Sequence, residues 1–441
     1  MRRAKLPAGE FTATIESLTL EGRGVTHLDG KATFIDRALP GETVRFVYTA
    51  RKKQFDEGDT VAIEQPSPNR VVPGCPHFEQ CGACTMQHLA AEQQILFKQQ
   101  SLLDQLERIG KVRPETVLPP LTDAVWGYRR RARLGVRFVE KKQRLLIGFR
   151  ERHSHFLADL SRCVVLDPRI GERLTELAEA LNTLDIKRQI PQIEVSCSDD
   201  RVALVIRHLA PLEADDRARL RQIGQTFGYD LYLQSGGPAT VTPLAPDEIA
   251  PLIDHHPAFD VSIGFAPLDF TQVHAGINRK MVAQAIELLG VTAKDRVLDL
   301  FAGLGNFTLP LARRAAKVTA VELESAMVAR AAAAAEANGL SNTAHVVGDL
   351  FTPDAGQSWL NQPYDLVLLD PPRAGAEAMI PHLARLKPRR IVYVSCHPGT
   401  LARDAQALVH EHGYRLTAAG VMNMFPHTAH IESMAVFEPA A

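Results

Sequence analysis

Cys396 stands in the stretch Tyr393-Val394-Ser395-Cys396-His397-Pro398-Gly399-Thr400-Leu401, between an apolar strand and a helix. A thiol at a strand end, just ahead of a helix N-terminus, is placed to act as a thiolate nucleophile. Free cysteine is also among the most often buried residues, so an inert packed thiol is the plain alternative. The company of Cys396 favours chemistry. Asp370-Pro371-Pro372-Arg373 follows a neighbouring strand, and its prolines stiffen a loop that can face a flat ring. Met424-Phe425-Pro426-His427-Thr428-Ala429-His430-Ile431-Glu432 leads into a terminal apolar strand at 434–437 and ends on a carboxylate. A thiol with a carboxylate base is equipment for covalent catalysis. Sulfur adds to an electrophilic carbon, and the base later removes a proton so that sulfur can leave.

A second group of residues suits a bound cofactor. Asp299-Leu300-Phe301-Ala302-Gly303-Leu304-Gly305-Asn306-Phe307 follows an apolar strand, and its glycines let the backbone approach a ligand. Glu322 ends the next strand, where a carboxylate can accept from ribose hydroxyls. Asp349 ends the third strand and Asp370 the fourth. A lone G-x-G is equally a plain turn, and Asp299 is equally a helix cap. The loop together with three acids at strand ends fits S-adenosylmethionine better than a dinucleotide, because Thr308 stands where the third glycine of a dinucleotide loop would be.

Cys75, Cys81 and Cys84 form a C-x5-C-x2-C cluster, with Cys163 the best candidate for a fourth metal ligand. Spacing leaves zinc and an iron–sulfur cluster equally open. Cys197, in an alternating stretch, reads as a structural thiol.

The elements that position these residues follow from periodicity. Residues 8–65 read as short strands punctuated by Gly22, Gly24, Gly30 and Gly41, which favours a small OB-like barrel. Residues 88–110 carry apolar side chains at helical spacing. From Trp126 to Arg152 ten Lys/Arg face two Glu, and Tyr128-Arg129-Arg130-Arg131-Ala132-Arg133 is expected on a strand. One face would then meet phosphates and the other pair internally; a solvated charged face is the alternative. Apolar strands at 297–300, 318–321, 345–347, 366–369 and 391–394 alternate with helices, which predicts a doubly wound parallel sheet with ligands at its carboxyl edge.

Bulk properties bound the rest. The chain has 441 residues and a formal net charge of −1, which excludes a wholly basic nucleic-acid coat but not a basic face. Arg2, Arg3 and Lys5 are followed by no long apolar run, so a cytoplasmic protein with reduced cysteines and no membrane span is expected.

Taken together, D-L-F-x-G-x-G-N-F at 299–307, D-P-P-R at 370–373, S-C-x-P-x-T-L at 395–401 and M-F-P-H-T-x-H-x-E at 424–432 resemble the RNA uracil-C5 methyltransferase family, and the likeness runs over nearly the whole chain. The resemblance implies a class I S-adenosylmethionine-dependent α/β fold. Cys396 would be the nucleophile at carbon 6 of uracil and Glu432 the base at carbon 5. Gln272, Phe301, Asn306, Glu322, Asp349 and Asp370 would bind the cofactor. It also tips the metal question toward a [4Fe-4S] cluster on Cys75, Cys81, Cys84 and Cys163. Residues 1–67 look like a TRAM-type RNA-binding barrel, 68–260 a central α+β domain, and 261–441 the catalytic domain. The helical stretch at 88–115 is a candidate to pack on that last part. The barrel favours the branch acting on 23S ribosomal RNA, as a monomer; another rRNA or a tRNA site is the alternative. His397 and His274 depart from the family by standing for asparagine, and Ala302 by standing for cysteine. A non-catalytic RNA-binding assembly factor is disfavoured by the presence of both Cys396 and Glu432. A cytosine-C5 enzyme is disfavoured by the M-F-P-H-T-x-H-x-E ending.

Overall fold

The computed structural model describes residues 6–354 and 356–440. Arg2, Arg3 and Lys5, on which the expectation about a leader rests, lie outside that range.

The strands Phe11–Thr14, Ser17–Leu18, Gly24–Leu28, Lys31–Asp36, Thr43–Arg51 and Phe55–Gln65 form one six-stranded sheet. It curls so that Glu16, just past the first strand, donates its amide to the carbonyl of Val25 in the third (2.8 Å). Ile15, Ile35, Val44 and Phe46 fill its interior. Gly58 is required there, because a Cβ would stand 2.5 Å from the Phe46 ring.

A second six-stranded sheet runs from Arg131–Val139 to Val241–Pro243. Its core includes Cys81, Cys84 and Cys163, with Cys75 packed against it. The strand begins at Arg131, later than the sequence pattern suggests. Arg129 instead spends its backbone on Val165 and Asp167, and Arg130 on Val273 and Cys197.

The largest sheet has eight strands in the order Thr343–Val347, Lys317–Glu322, Arg296–Leu300, Leu366–Leu369, Arg390–Ser395, Glu432–Pro439, Tyr414–Met422 and Thr116–Val117. The first five are parallel, and Glu432–Pro439 pairs antiparallel with both its neighbours. Leu366 to Leu369 are wholly buried, as strands covered by helices on both faces require. Each such side chain contributes roughly 1.5–3 kcal/mol.

The helix Ala91–Arg108 belongs by sequence to the segment before the second sheet and packs on the eight-stranded one, as expected for the stretch 88–115. Its Ile95, Leu102 and Leu106 share a core with Leu401, Ala402 and Ala419. Among the described residues no helix is long and apolar enough to cross a membrane.

Candidate active site

The carboxyl ends of the central strands open into a cleft of about 590 Å³. Cys396, Asp370 and Glu432 line it, together with Gln272, Phe301, Asn306 and Glu322. Cys396 follows the strand Arg390–Ser395 and is free and partly exposed, so its thiol is not locked in packing. The next helix, Pro398–Gln406, is capped by His397, whose Nδ1 accepts from the Thr400 amide (3.2 Å). His274 does the same for Ala275–Leu289 by accepting from Ile277 (3.3 Å). Both histidines thus supply the cap acceptor that asparagine would supply, which is why these departures leave the frame intact.

Electrostatics set the resting state. Burial, then the Glu432 and Asp370 carboxylates, push the Cys396 thiol up to about 12, with Arg373 opposing. The helix N-terminus therefore does not by itself offset the burial of the sulfur, to which the two acids facing it add. Burial first and Asp370 second push Glu432 up to about 8, against Lys98 and Arg373. Burial pushes Asp370 up to about 7.

The glycine loop is a fitted cradle. Phe301 holds a left-handed φ of 61°, strained for a residue with a side chain, and its ring lies 5.7 Å from that of Phe351. Gly303 has φ of 55°, and a Cβ there would meet nothing within 4 Å, so this backbone faces open space. Glu322 accepts from the amides of Gly303 (3.1 Å), Leu323 (2.8 Å) and Glu324 (3.1 Å). Asn306 pairs both ways with Asn278 (2.9 Å each). Asp349 lies two residues past its strand and accepts from Phe351 and Thr352; Phe351, not Asp349, lines the cleft. Asp299 does not cap the helix that follows. It is buried and accepts from the Thr308 hydroxyl (2.5 Å), while the cap position is Phe307.

The loop bearing His427 and Glu432 is clamped from the central segment, a feature the sequence did not reveal. His427 has φ of 65° and stacks on Trp126 at 3.9 Å. Gln94 Oε1 accepts from the His427 amide (2.8 Å). The Thr85 and Met86 amides donate to the His427 carbonyl (2.9 and 3.0 Å), and Tyr128 donates to the Pro426 carbonyl (3.0 Å). Of the two histidines in this loop, His430 lines the cleft and His427 serves as a clamp.

Elsewhere, the thiols of Cys75, Cys81, Cys84 and Cys163 are free and lie in one neighbourhood. Burial, then the three other cysteines, push Cys84 up to about 12. Cys163 is pushed up to about 11 by burial and by Cys81 and Cys75. Among the described residues no group of three or more His, Cys, Asp or Glu is arranged to hold a single metal ion. The basic strand is largely self-paired. Arg130 bonds Asp199 (2.7 Å), Arg131 bonds Ser196 (3.2 Å) and Arg133 bonds Glu194 (2.6 Å). The neighbouring strand Gln192–Cys197 sets Glu194 opposite Arg133 and Ser196 opposite Arg131, so register supplies those partners.

Comparison with known proteins places this geometry. The family model described as tRNA (Uracil-5-)-methyltransferase matches residues 264–348 and 358–439. A protein of Alkalilimnicola ehrlichii named 23S rRNA (uracil(1939)-C(5))-methyltransferase RlmD is 52% identical over 441 residues, covering 100% of this chain and 99% of that one. A Xanthomonas campestris protein of the same name is 52% identical over 431 residues, covering 97% of each chain. The crystal structure of Pyrococcus abyssi tRNA (uracil-54, C5)-methyltransferase with S-adenosyl-L-homocysteine shares the fold, with a TM-score of 0.72 at 24% identity over 97% of this chain and 100% of that one. With a cleft that gathers a thiol, two acids and a glycine cradle, and relatives matched end to end, the chain belongs to the RNA uracil-C5 methyltransferase family.

Proposed function

We propose that the chain transfers a methyl group from S-adenosylmethionine to carbon 5 of a uridine in 23S ribosomal RNA, at the position 1939 named in its relatives. The observation that carries the reaction is the convergence of Cys396, Asp370 and Glu432 on the cleft that the glycine cradle also lines.

In this reading Gln272, Phe301, Asn306, Glu322, Asp349 and Asp370 hold the cofactor, which supplies an electrophilic methyl group on sulfur. Cys396 Sγ adds to carbon 6 of the uracil, and the negative charge gathered at carbon 5 makes that carbon nucleophilic toward the methyl group. Glu432 then takes the carbon-5 proton, and the Cys396 sulfur leaves as the ring double bond re-forms. Asp370 accepts from the ring N–H and so orients the base. Cys396 must first lose its proton. That proton goes to water in the open cleft, and Glu432 is ionised by the time it takes the carbon-5 proton. The target base has to leave its stack to reach the pocket.

Cys75, Cys81, Cys84 and Cys163 are assigned a [4Fe-4S] cluster. Four grouped free thiols suit it as donors, and a cluster's ligands stand farther apart than those of a single ion. Its role here is structural rather than redox, because Thr85 and Met86, next to Cys84, hold the His427 carbonyl. Residues 1–67 serve as a TRAM-like RNA-binding barrel, and the protein works as a cytoplasmic monomer.

The test is trapping with RNA carrying 5-fluorouracil. Fluorine does not leave as a proton, so the protein should stay covalently attached when the cofactor is present, and Cys396→Ala should neither trap nor methylate. Trapping that survives Cys396→Ala would sink the nucleophile assignment.

A further inference from the structure

Asp370 and Cys396 stand just beyond the ends of neighbouring parallel strands, and the ladder between those strands stops short of both residues. Its last pair is Leu369 opposite Tyr393. Pro371 and Pro372 have no N–H with which to continue it, and the Asp370 amide donates the other way, to the Leu300 carbonyl (3.3 Å). Sheet pairing therefore does not hold the Asp370 loop against the thiol.

The hold comes from the helix Pro398–Gln406, which follows Cys396. Thr400, Arg403 and Asp404 share one of its faces, by their spacing of three and four residues. Thr400 Oγ1 donates to the Arg373 carbonyl (3.2 Å), and Arg403 Nη2 donates to the Ala374 carbonyl (2.9 Å). Asp404 Oδ2 accepts from the Ala376 amide and from the Tyr393 hydroxyl (2.7 Å each). Its Oδ1 accepts from Arg403 Nε and Nη2 (2.9 and 2.7 Å). Asp404 is buried, and donors answer both of its oxygens, as a charge taken out of water requires. One carboxylate thus joins the strand that leads to Cys396, the helix that leaves it and the loop that leaves Asp370. The fit is tight. Gly375 holds a φ of 80°, and a Cβ there would stand 2.6 Å from Arg403 Nη2 and 2.7 Å from Asp404 Oδ2.

We infer that Asp404 is a positioning residue for sulfur addition: it sets the Asp370 carboxylate against the Cys396 thiol, so that one holds the uracil while the other attacks it. The inference rests on the reading of Cys396 as nucleophile and of Asp370 as the group that orients the uracil. Asp404 itself touches no reacting atom and transfers nothing.

The experiment measures the rate of trapping on 5-fluorouracil RNA, at saturating cofactor and RNA, for full-length wild type, Asp404→Asn, Asp370→Asn and the double variant. Asparagine keeps the size of Asp404 but puts an amide NH₂ among groups that are all donors, so the grip on the loop fails. A displacement of the order of 1 Å should slow trapping about 10- to 100-fold. RNA affinity should stay at the wild-type value. With Asp370 already replaced, Asp404→Asn should cost little more, because no carboxylate is left to place. Asp404→Asn that traps at the wild-type rate overturns the inference. So does an equal fall in RNA affinity, or a full Asp404→Asn loss repeated on top of Asp370→Asn, either of which marks a merely structural aspartate. If Asp404→Asn does not fold, Thr400→Val and Thr400→Ser decide. Slowed trapping in the valine variant that serine restores supports the inference; a valine variant at the wild-type rate, or a serine variant that restores nothing, overturns it. Wild type that fails to trap would instead bring down the covalent reading beneath it.

Discussion

Replacing Asp370 by asparagine should make the protein more stable and less active at once. Asp370 lines the cleft, and burial lifts its pKa from 3.8 to about 7. An acid held above its unfolded value leaves stability whole below pH 3.8, where both states are protonated. That stability is lost as the pH rises to about 7, because the unfolded chain ionises first. A shift of roughly three units corresponds to about 4 kcal/mol as a ceiling. Water in the open cleft lowers this to about 1–3 kcal/mol. Asparagine is nearly isosteric and carries no titrating group. Urea unfolding of wild type and Asp370→Asn from about pH 3 to pH 8 should give coincident stabilities at the acid end. The difference should widen in favour of the variant and level off past pH 7. Methyl transfer should fall about 100-fold or more, since the amide no longer offers a carboxylate to the ring N–H. A stability difference that stays flat with pH, or that favours wild type at pH 8, would refute the burial argument.

Glu432→Gln should lose turnover by about 100-fold or more and accumulate a covalent complex on ordinary uracil RNA, seen as a shifted band on denaturing gels. Absence of that complex would show that the base lies elsewhere. Cys84→Ser should lose iron in a colorimetric assay and lower the thermal midpoint, whereas Cys197→Ser, whose charged neighbours are Asp167, Arg169, Arg130 and Asp254, should keep its iron. Trp126→Ala removes the ring stacked on His427 at 3.9 Å. It should cost about 1 kcal/mol in denaturant unfolding and slow methyl transfer more than it weakens RNA binding, because the slack falls on the Glu432 loop.

Much of the site was legible in the one-dimensional pattern. Apolar strands leading to Glu322, Asp370 and Cys396 placed three chemical groups at one edge of a parallel sheet, and a sheet of that type binds its ligands there. Glycines at 303 and 305 marked the cradle, because their backbone angles are costly for other residues. Residue type and strand period depend on local chain chemistry, so the sequence carries them.

Tertiary structure alone decided which distant groups meet. Gln94 and Lys98 reach a loop 325 to 333 positions away; their helix was by sequence a candidate to pack on the last domain, but its pattern could not say which of its polar side chains would meet that loop. The arginines from 129 to 133 suggested a phosphate-binding face, but Asp199, Glu194 and Ser196 came to them by strand register and fold. The protonation of Cys396 was likewise beyond the sequence. A helix end beside the thiol argues for the anion, and the burial of the sulfur, with Glu432 and Asp370 folded around it, opposes that, since desolvation and charge–charge energies depend on spatial surroundings and not on separation along the chain.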